Sequence, residues 1–466
     1  MSRSSAIDLA SDHFDSGKFK AELKRRVAYR TESQDPQSGP IMGAYLTEEI
    51  LPQLERLGFT GRVVDNPVSS RHPFLVARRN EDPAYPTVLT YGHGDVQLAH
   101  ADDWRSGLNP WEIVVEGDRW YGRGTADNKG QHTVNLAALE QVIQARGGHL
   151  GFNTVFLLDM GEEFGSPGLN EICEQLRDEL SADVLIASDG PRLSAEQPTI
   201  FLGARGAVNF TLTMNAREES HHSGNWGGVL SNPATILVNA LSSIVDGQGK
   251  LLVPGLAPPP IPDSVRAALA NISVDTSPGS PSINENWGEP GLSPSERLFG
   301  WNALEILAMT AGNPDGAVNA IPANARAHCQ LRFVVGTDWE ATGSILRDHL
   351  DQHGFSMVDL KVEFGMAATR LDPENKWVRW ALDSLERTTR KKPALLPNLG
   401  GSLPNGAFAD VLGLPTVWIP HSYPGCAQHA PNEHLLSPLM REAMQIMAGL
   451  FWDLGEVTPE WLADTD

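Results

Sequence analysis

The chain has 466 residues, 41% hydrophobic and 20% charged, which suits about two or three globular domains with sizeable cores and excludes a disordered or fibrous protein. Lys plus Arg number 36 against 58 Asp plus Glu, a formal net charge of -22; no stretch gathers basic residues into a face for phosphates, so nucleic acid is not an expected partner. Cys173, Cys329 and Cys426 lie far apart and leave an odd one over, which argues against a disulfide framework or a thiolate metal site and fits a reducing compartment.

In chain order, the amino terminus lacks an apolar leader region and no run of about 18 apolar residues follows, so the expectation is a cytoplasmic protein with no membrane partner. Apolar spacing predicts a helix over 46–59, and RHPFLVARR and TVLTYGHGD supply short strands ending in polar loops. A helix over 133–146, a strand in NTVFLLDM, a helix in LNEICEQLRDEL and a strand in DVLIAS continue an α/β alternation. The texture then changes. AVNFTLTMN alternates like a half-solvated strand, NPATILVNALSSIV reads as a helix, and a Pro-rich loop segment covers 254–294. ARAHCQLRFVV and VDLKVEFG are strands flanking a helix in WEATGSILRDHLDQHG, so this middle part reads as an α+β layer with helices on one face. After it the α/β style returns, with a helix in NKWVRWALDSLERTTR, a strand in LPTVWIP and a closing helix in PLMREAMQIMAGLFWDL. The expected organisation is an α/β domain formed by 1–204 and 368–466, interrupted by an inserted domain at 205–367. No internal repeat or low-complexity tract occurs.

The polar groups at the strand ends carry the chemistry. His93 and Asp95 close TVLTYGHGD, Glu162 and Glu163 close VFLLDMGEE, Asp189 closes VLIASDG, His429 follows LPTVWIP, and Asp127 precedes a helix. Ligands of open α/β sheets bind at the carboxyl ends of strands, so these residues can converge. Several carboxylates packed together repel one another and resist burial unless a cation compensates. Asp127, Glu163, Asp189 and one hydroxide would together balance two divalent ions. Mixed imidazole and carboxylate donors favour zinc, with manganese or cobalt as alternatives, over magnesium or calcium. His93 and Asp95 sit two apart on one face of an extended segment, which lets the Asp95 carboxylate hold the second imidazole nitrogen. The adjacent pair Glu162 and Glu163 can give one carboxylate to a metal and leave the other free as a general base.

Taken together, YGHGDVQ, GRGTADNKG, DMGEEFGSPGL, ASDGP followed by GARG, HHSGNWGG with SNP, GGSLPNG and HAPNEHL resemble, in composition and order, the sequence marks of the M20 family of metallopeptidases. Within it the resemblance is to the dipeptidase group that includes the carnosinases. It implies a zinc-peptidase-like α/β/α catalytic domain carrying an inserted ferredoxin-like α+β lid and dimerisation domain. It further implies that His93, Asp127 and Asp189 hold one zinc and that Asp127, Glu163 and His429 hold the other, with Asp127 bridging. Asp95 would orient His93, and Glu162 would be the general base. In a homodimer His222 would reach the partner subunit's active site, and Asn319 would help across the same interface. Arg332, Gly401 and Ser402 would bind the substrate carboxylate. Two features depart from the pattern: Leu98 stands where many relatives have proline, and His100, His421 and His434 lie close in sequence to the motif loops. The resemblance implies His429 as the last ligand, since it precedes the Asn432 and Glu433 pair by the spacing that the dipeptidase group shows.

The expected activity is hydrolysis of an amide bond beside a free carboxylate in a small peptide. A bridging hydroxide would be the nucleophile. An N-acyl-amino-acid deacylase of the same fold, removing acetyl, succinyl or carbamoyl groups, is the nearest alternative; a non-catalytic binding or assembly protein is the distant one.

Overall fold

A computed structural model describes residues 1–274 and 282–464 of the chain. Its strands, in chain order, begin with β1 (Thr60–Val64), β2 (Phe74–Arg79), β3 (Thr87–His93), β4 (Asn153–Asp159), β5 (Val184–Ala187) and β6 (Thr199–Phe201). Then come β7 (Gly206–Asn215), β8 (Ala303–Ala311), β9 (Asn324–Phe333), β10 (Asp359–Met366), β11 (Ala394–Leu396) and β12 (Thr416–Trp418), with some shorter strands lying between and beyond them.

The central sheet has eight strands in the order β1-β2-β4-β3-β5-β12-β6-β11. Its middle, β4-β3-β5-β12, is parallel throughout. Every residue of β4 and β5 is buried, which is why these strands read as continuous apolar runs rather than alternations. Helices Arg3–Asp15, Lys18–Val27, Lys129–Ala145, Lys376–Thr389 and Ser437–Leu454 cover one face through residues such as Ala10, Leu23, Val134, Val378 and Met444. The other face is covered by Leu169–Gln175 and by two helices from the stretch read as a Pro-rich loop, Asp263–Leu269 and Pro294–Gly300, through Val265, Leu269 and Phe299. Residues 275–281 of that stretch lie outside the described residues.

A second sheet, antiparallel in the order β8-β9-β7-β10, lies in the middle of the sequence. Helices Pro233–Ile244 and Thr342–Gln352 pack on one face through Leu237, Leu241, Leu346 and Leu350. With them the run from β7 to β10 is βαββαβ, the split ferredoxin-like arrangement. On β9 the inward side is Ala325, Ala327, Cys329, Leu331 and Phe333, and alternate residues point outward. Sequence periodicity misses β8: it is an edge strand whose residues Glu305–Thr310 are all exposed, so it has no buried side to betray it.

The helix expected over 46–59 runs from Gly39 to Arg56 with a π turn over Tyr45–Ile50. Pro52 lies two residues beyond, and its missing N–H cannot continue the ordinary α ladder, which places the wider turn there. The helix expected from Leu169 is shorter than its pattern, ending at Gln175. All three cysteines are buried and free. Among the described residues no helix is long and apolar enough to cross a membrane.

Candidate metal centre

The parallel strands deliver their polar ends to one place. His93 is the last residue of β3, Asp189 lies just past β5, and Glu162 and Glu163 follow β4 in a short 3-10 turn. Asp127 comes from the turn before helix Lys129–Ala145, and His429 from the long loop after β12. His93, Asp127 and Asp189 present ligand atoms within 4.8 Å of one another, and so do Asp127, Glu163 and His429. Asp127 belongs to both groups and divides its oxygens between them: Oδ1 lies 3.0 Å from His93 Nε2 and Oδ2 lies 2.9 Å from His429 Nε2. His93 Nε2 is 3.6 Å from Asp189 Oδ2, and His429 Nε2 is 3.1 Å from Glu163 Oε2. Of the rival histidines, His434 pairs with Tyr423 and His421 with Ser188, while His100 is exposed on its loop.

Asp95 does more than its spacing suggests. Its main-chain oxygen lies 3.1 Å and its Oδ1 3.3 Å from His93 Nδ1. The same carboxylate accepts the backbone N–H groups of Glu162 at 3.1 Å and Glu163 at 3.0 Å. One buried side chain therefore orients the imidazole and sets the turn that sends Glu163 toward His429 and Glu162 toward His93 Nε2, 3.9 Å away.

The electrostatics call for cations. Burial pushes Glu162 well above the usual carboxylate range, with Asp189, Glu163 and Asp127 adding repulsion. Burial likewise pushes Glu163 up to about 7 and Asp189 up to about 6, each against the Asp127 charge. For Asp127 burial is outweighed by hydrogen bonds to His429 and His93, which hold it far below the usual range. Burial disfavours charge on His429 too, but Asp127 and Glu163 raise it to about 11. The histidines thus act as proton-borne cations among carboxylates, a role a divalent ion fills better because it satisfies several oxygens at once. Asp189 Oδ2 is buried without any hydrogen-bond partner, an orphan acceptor within the ligand group it forms with His93 and Asp127. The residues present fit a pair of divalent ions.

A cavity of about 400 Å³ opens onto the cluster, and its walls include Asp127, Glu162, Asp189 and His429 together with Arg332, Gly401 and Ser402. Arg332 stands on β9, where burial lowers its pKa; its Nη1 donates to Ser402 Oγ at 2.8 Å and its Nε to Gln330 Oε1 at 2.8 Å. His222 and Asn319 are not brought to this cavity. They lie at a small two-stranded antiparallel pairing of distant segments, where both are exposed, the Ser223 N–H donates to the Asn319 carbonyl at 2.8 Å and His222 Nδ1 accepts the Gly224 N–H at 3.1 Å. Leu98 is exposed; its N–H donates to Gln34 Oε1, and its carbonyl accepts Arg123.

Sequence reasoning passed over several residues of the centre. Gln428 donates to Asp127 Oδ2, Gln97 donates to Glu163 Oε2 at 3.0 Å, and buried Glu433 accepts main-chain N–H groups of the Asp127 turn. Each flanks or sits inside a motif, and only that proximity could have marked it.

Fold and site together define an α/β protein whose strand ends gather carboxylates and imidazoles into a cluster suited to holding divalent metal. The model of peptidase family M20/M25/M40 matches residues 89–453, and the chain belongs to that family. It is similar to the mouse (Mus musculus) Beta-Ala-His dipeptidase, 36% identical over 208 residues, which are 44% of this chain and 42% of that protein. The rat (Rattus norvegicus) Beta-Ala-His dipeptidase is 35% identical over 58% of this chain and 56% of its own length, so the chain spans about half of these two relatives. The Cys-Gly metallodipeptidase DUG1 of Candida albicans is 26% identical, covering 90% of both chains. Among solved structures, the fold is shared with the dipeptidase Dug1p of Saccharomyces cerevisiae (TM-score 0.77, 24% identity, 98% of this chain and 100% of that one). It is also shared with human carnosine dipeptidase 1 (TM-score 0.76, 23% identity, 97% and 99%).

Proposed function

We propose that this protein is a dipeptidase that cleaves the amide bond beside a free carboxylate, using two divalent ions, with zinc as the native metal. The observation that carries this reading is the pair of ligand groups sharing Asp127, next to Glu162, which belongs to neither group, in a cavity also lined by Arg332 and Ser402. Its relatives named as dipeptidases for Beta-Ala-His and Cys-Gly support a small peptide as substrate. His93, Asp127 and Asp189 hold one ion, and Asp127, Glu163 and His429 the other. Divalent ions held there would supply Lewis acidity for the scissile carbonyl and lower the pKa of a water toward neutrality. Glu162 takes the proton from that water and delivers it to the leaving nitrogen. Arg332, with the Gly401 and Ser402 loop, binds the substrate carboxylate and so places the amide bond against Glu162.

We assign residues 1–204 and 368–466 to the catalytic domain and 205–367 to a lid, two of whose helices, Asp263–Leu269 and Pro294–Gly300, reach back to pack on the catalytic sheet. The lid makes a homodimer in which His222 and Asn319, exposed at their two-stranded pairing, complete the partner's site; a strictly monomeric active enzyme in solution would refute this. The free, buried cysteines suit a reducing setting, and we place the protein in the cytoplasm; fractionation of the source cells tests that placement.

The decisive test is a panel of dipeptides against N-acetyl, N-succinyl and N-carbamoyl amino acids, run on zinc- or manganese-loaded protein with product analysis. Dipeptides are expected to turn over fastest; faster release of acyl groups would make the protein a deacylase instead. Arg332→Met is expected to raise KM for dipeptides by roughly 10- to 100-fold with a smaller change in kcat, the scale of a lost charged hydrogen bond. An unchanged KM would remove Arg332 from the carboxylate site.

Metal affinity should depend on pH with a definite sign. Ligands bind metal only after losing their protons, and in the ion-free site Asp189 holds its proton up to about 6, Glu163 up to about 7 and His429 up to about 11. Apparent zinc affinity, measured by competition with a chromophoric chelator, is therefore expected to climb steadily from about pH 5.5 to 8. A flat profile would contradict the ligand assignment.

A further inference from the structure

We propose that Glu433 is a positioning residue that locks the two loops carrying Asp127 and His429 to each other and thereby sets the geometry of the second ion site. This rests on the metal-centre reading above and extends it to a residue outside the ligand set.

Glu433 is 1% exposed, and its carboxylate is completely engaged. Oε1 accepts the backbone N–H groups of Ala126 at 2.9 Å and Asp127 at 3.1 Å. Oε2 accepts the Gly124 N–H at 3.0 Å and Arg123 Nη1 at 2.9 Å. The main chain of Glu433 joins in, since its carbonyl accepts the Gly122 N–H at 3.0 Å. Arg123 carries the tie onward by donating Nη2 to the Leu98 carbonyl at 3.0 Å, on the loop that follows His93 and Asp95. One buried carboxylate thus joins the turn bearing Asp127, the loop bearing His429 and, through Arg123, the loop after β3.

A second observation shows why the His429 loop needs such an anchor. Ala427, His429 and Asn432 all adopt left-handed backbone conformations, with φ of 57°, 61° and 68°. Non-glycine residues hold that conformation only where their surroundings over-determine it. Glu433 is the next residue after Asn432 and is fastened to the Asp127 turn at five points, side chain and main chain together. It fixes the end of the strained loop against the same turn whose Asp127 Oδ2 must meet His429 Nε2. Outer groups that orient ligands in this way typically change metal affinity by about 10- to 100-fold when removed.

Glu433→Gln is the informative variant because it keeps the volume but cannot satisfy the four donors. Each carboxylate oxygen faces two of them, so whichever way the amide turns, its NH₂ group meets two N–H donors. With the full-length protein titrated with zinc alone, the wild type is expected to take up two ions. The folded Glu433→Gln protein should hold the weaker of them about 10- to 100-fold less tightly. At limiting zinc its kcat should fall in proportion and recover at saturating zinc with KM unchanged, a rescue that a merely structural lesion would not show. Superimposable titration curves for folded wild type and variant would overturn the proposal, as would a kcat that excess zinc fails to restore. If Glu433→Gln does not fold, Arg123→Met leaves the three backbone donors in place and is expected to weaken zinc by about 3- to 10-fold, at or below the lower end of the outer-group scale; unchanged affinity there also overturns it. A wild type that binds no ions would overturn the metal reading itself, and this inference with it.

Discussion

Replacing Glu162 by alanine is expected to reduce kcat by roughly 100-fold or more while both ions stay bound, the usual scale for a lost general base. Glu162 stands in the cavity wall but belongs to neither ligand group. Its carboxylate lies 3.9 Å from His93 Nε2, and its main chain is fixed separately by Asp95. Removing the side chain therefore leaves the cradle intact and deletes only the proton acceptor. Burial and three neighbouring carboxylates push its pKa well up in the ion-free site, and bound cations pull it back toward the range in which a base works near neutral pH. The measurement is kcat beside metal content on the same sample. Near-normal turnover with two ions present would take the base role away from Glu162.

Asp127→Ala should be more damaging and in a different way: metal content is expected to fall below two ions per chain and kcat by about 1000-fold or more, beyond the loss of a single electrostatic group. Asp127 is the one residue common to both ligand groups, with one oxygen turned to each histidine. On the proposed two-ion reading its loss would take a donor from both ions and a negative charge from between them, so neither site would keep a full set. The two histidines also lose the partner that most raises their pKa. Direct metal analysis after dialysis distinguishes this from the Glu162 variant, and two ions retained at wild-type affinity would disprove the bridging role.

The convergence of these ligand-type side chains is legible in the sequence, for a physical reason. Ligand chemistry requires specific side chains at the ends of buried strands, and both the residue type and the apolar run leading to it are visible in the chain: TVLTYGH ends at His93 and VLIASD at Asp189. Supporting contacts were less legible. Asp95, expected to hold an imidazole, also organises the Glu162 and Glu163 turn, and Glu433 holds the Asp127 turn; in both cases the partners are main-chain N–H groups, which every residue but proline possesses and which leave no trace in the sequence.

The same division runs through the fold. The amino-acid sequence alone determined the α/β class, the inserted α+β layer and the helices with a clear apolar stripe, because period and burial are properties of a single element. Only the tertiary structure decided that β8 lies at an exposed edge and that helices Asp263–Leu269 and Pro294–Gly300 cover the central sheet. It alone decided, too, that Asp127 faces two histidines at once while His222 stays away from the cavity of its own chain. Those outcomes depend on how loops close in space, through left-handed residues such as His429 and hydrogen bonds between distant segments, and neither is written as a pattern along one stretch of chain.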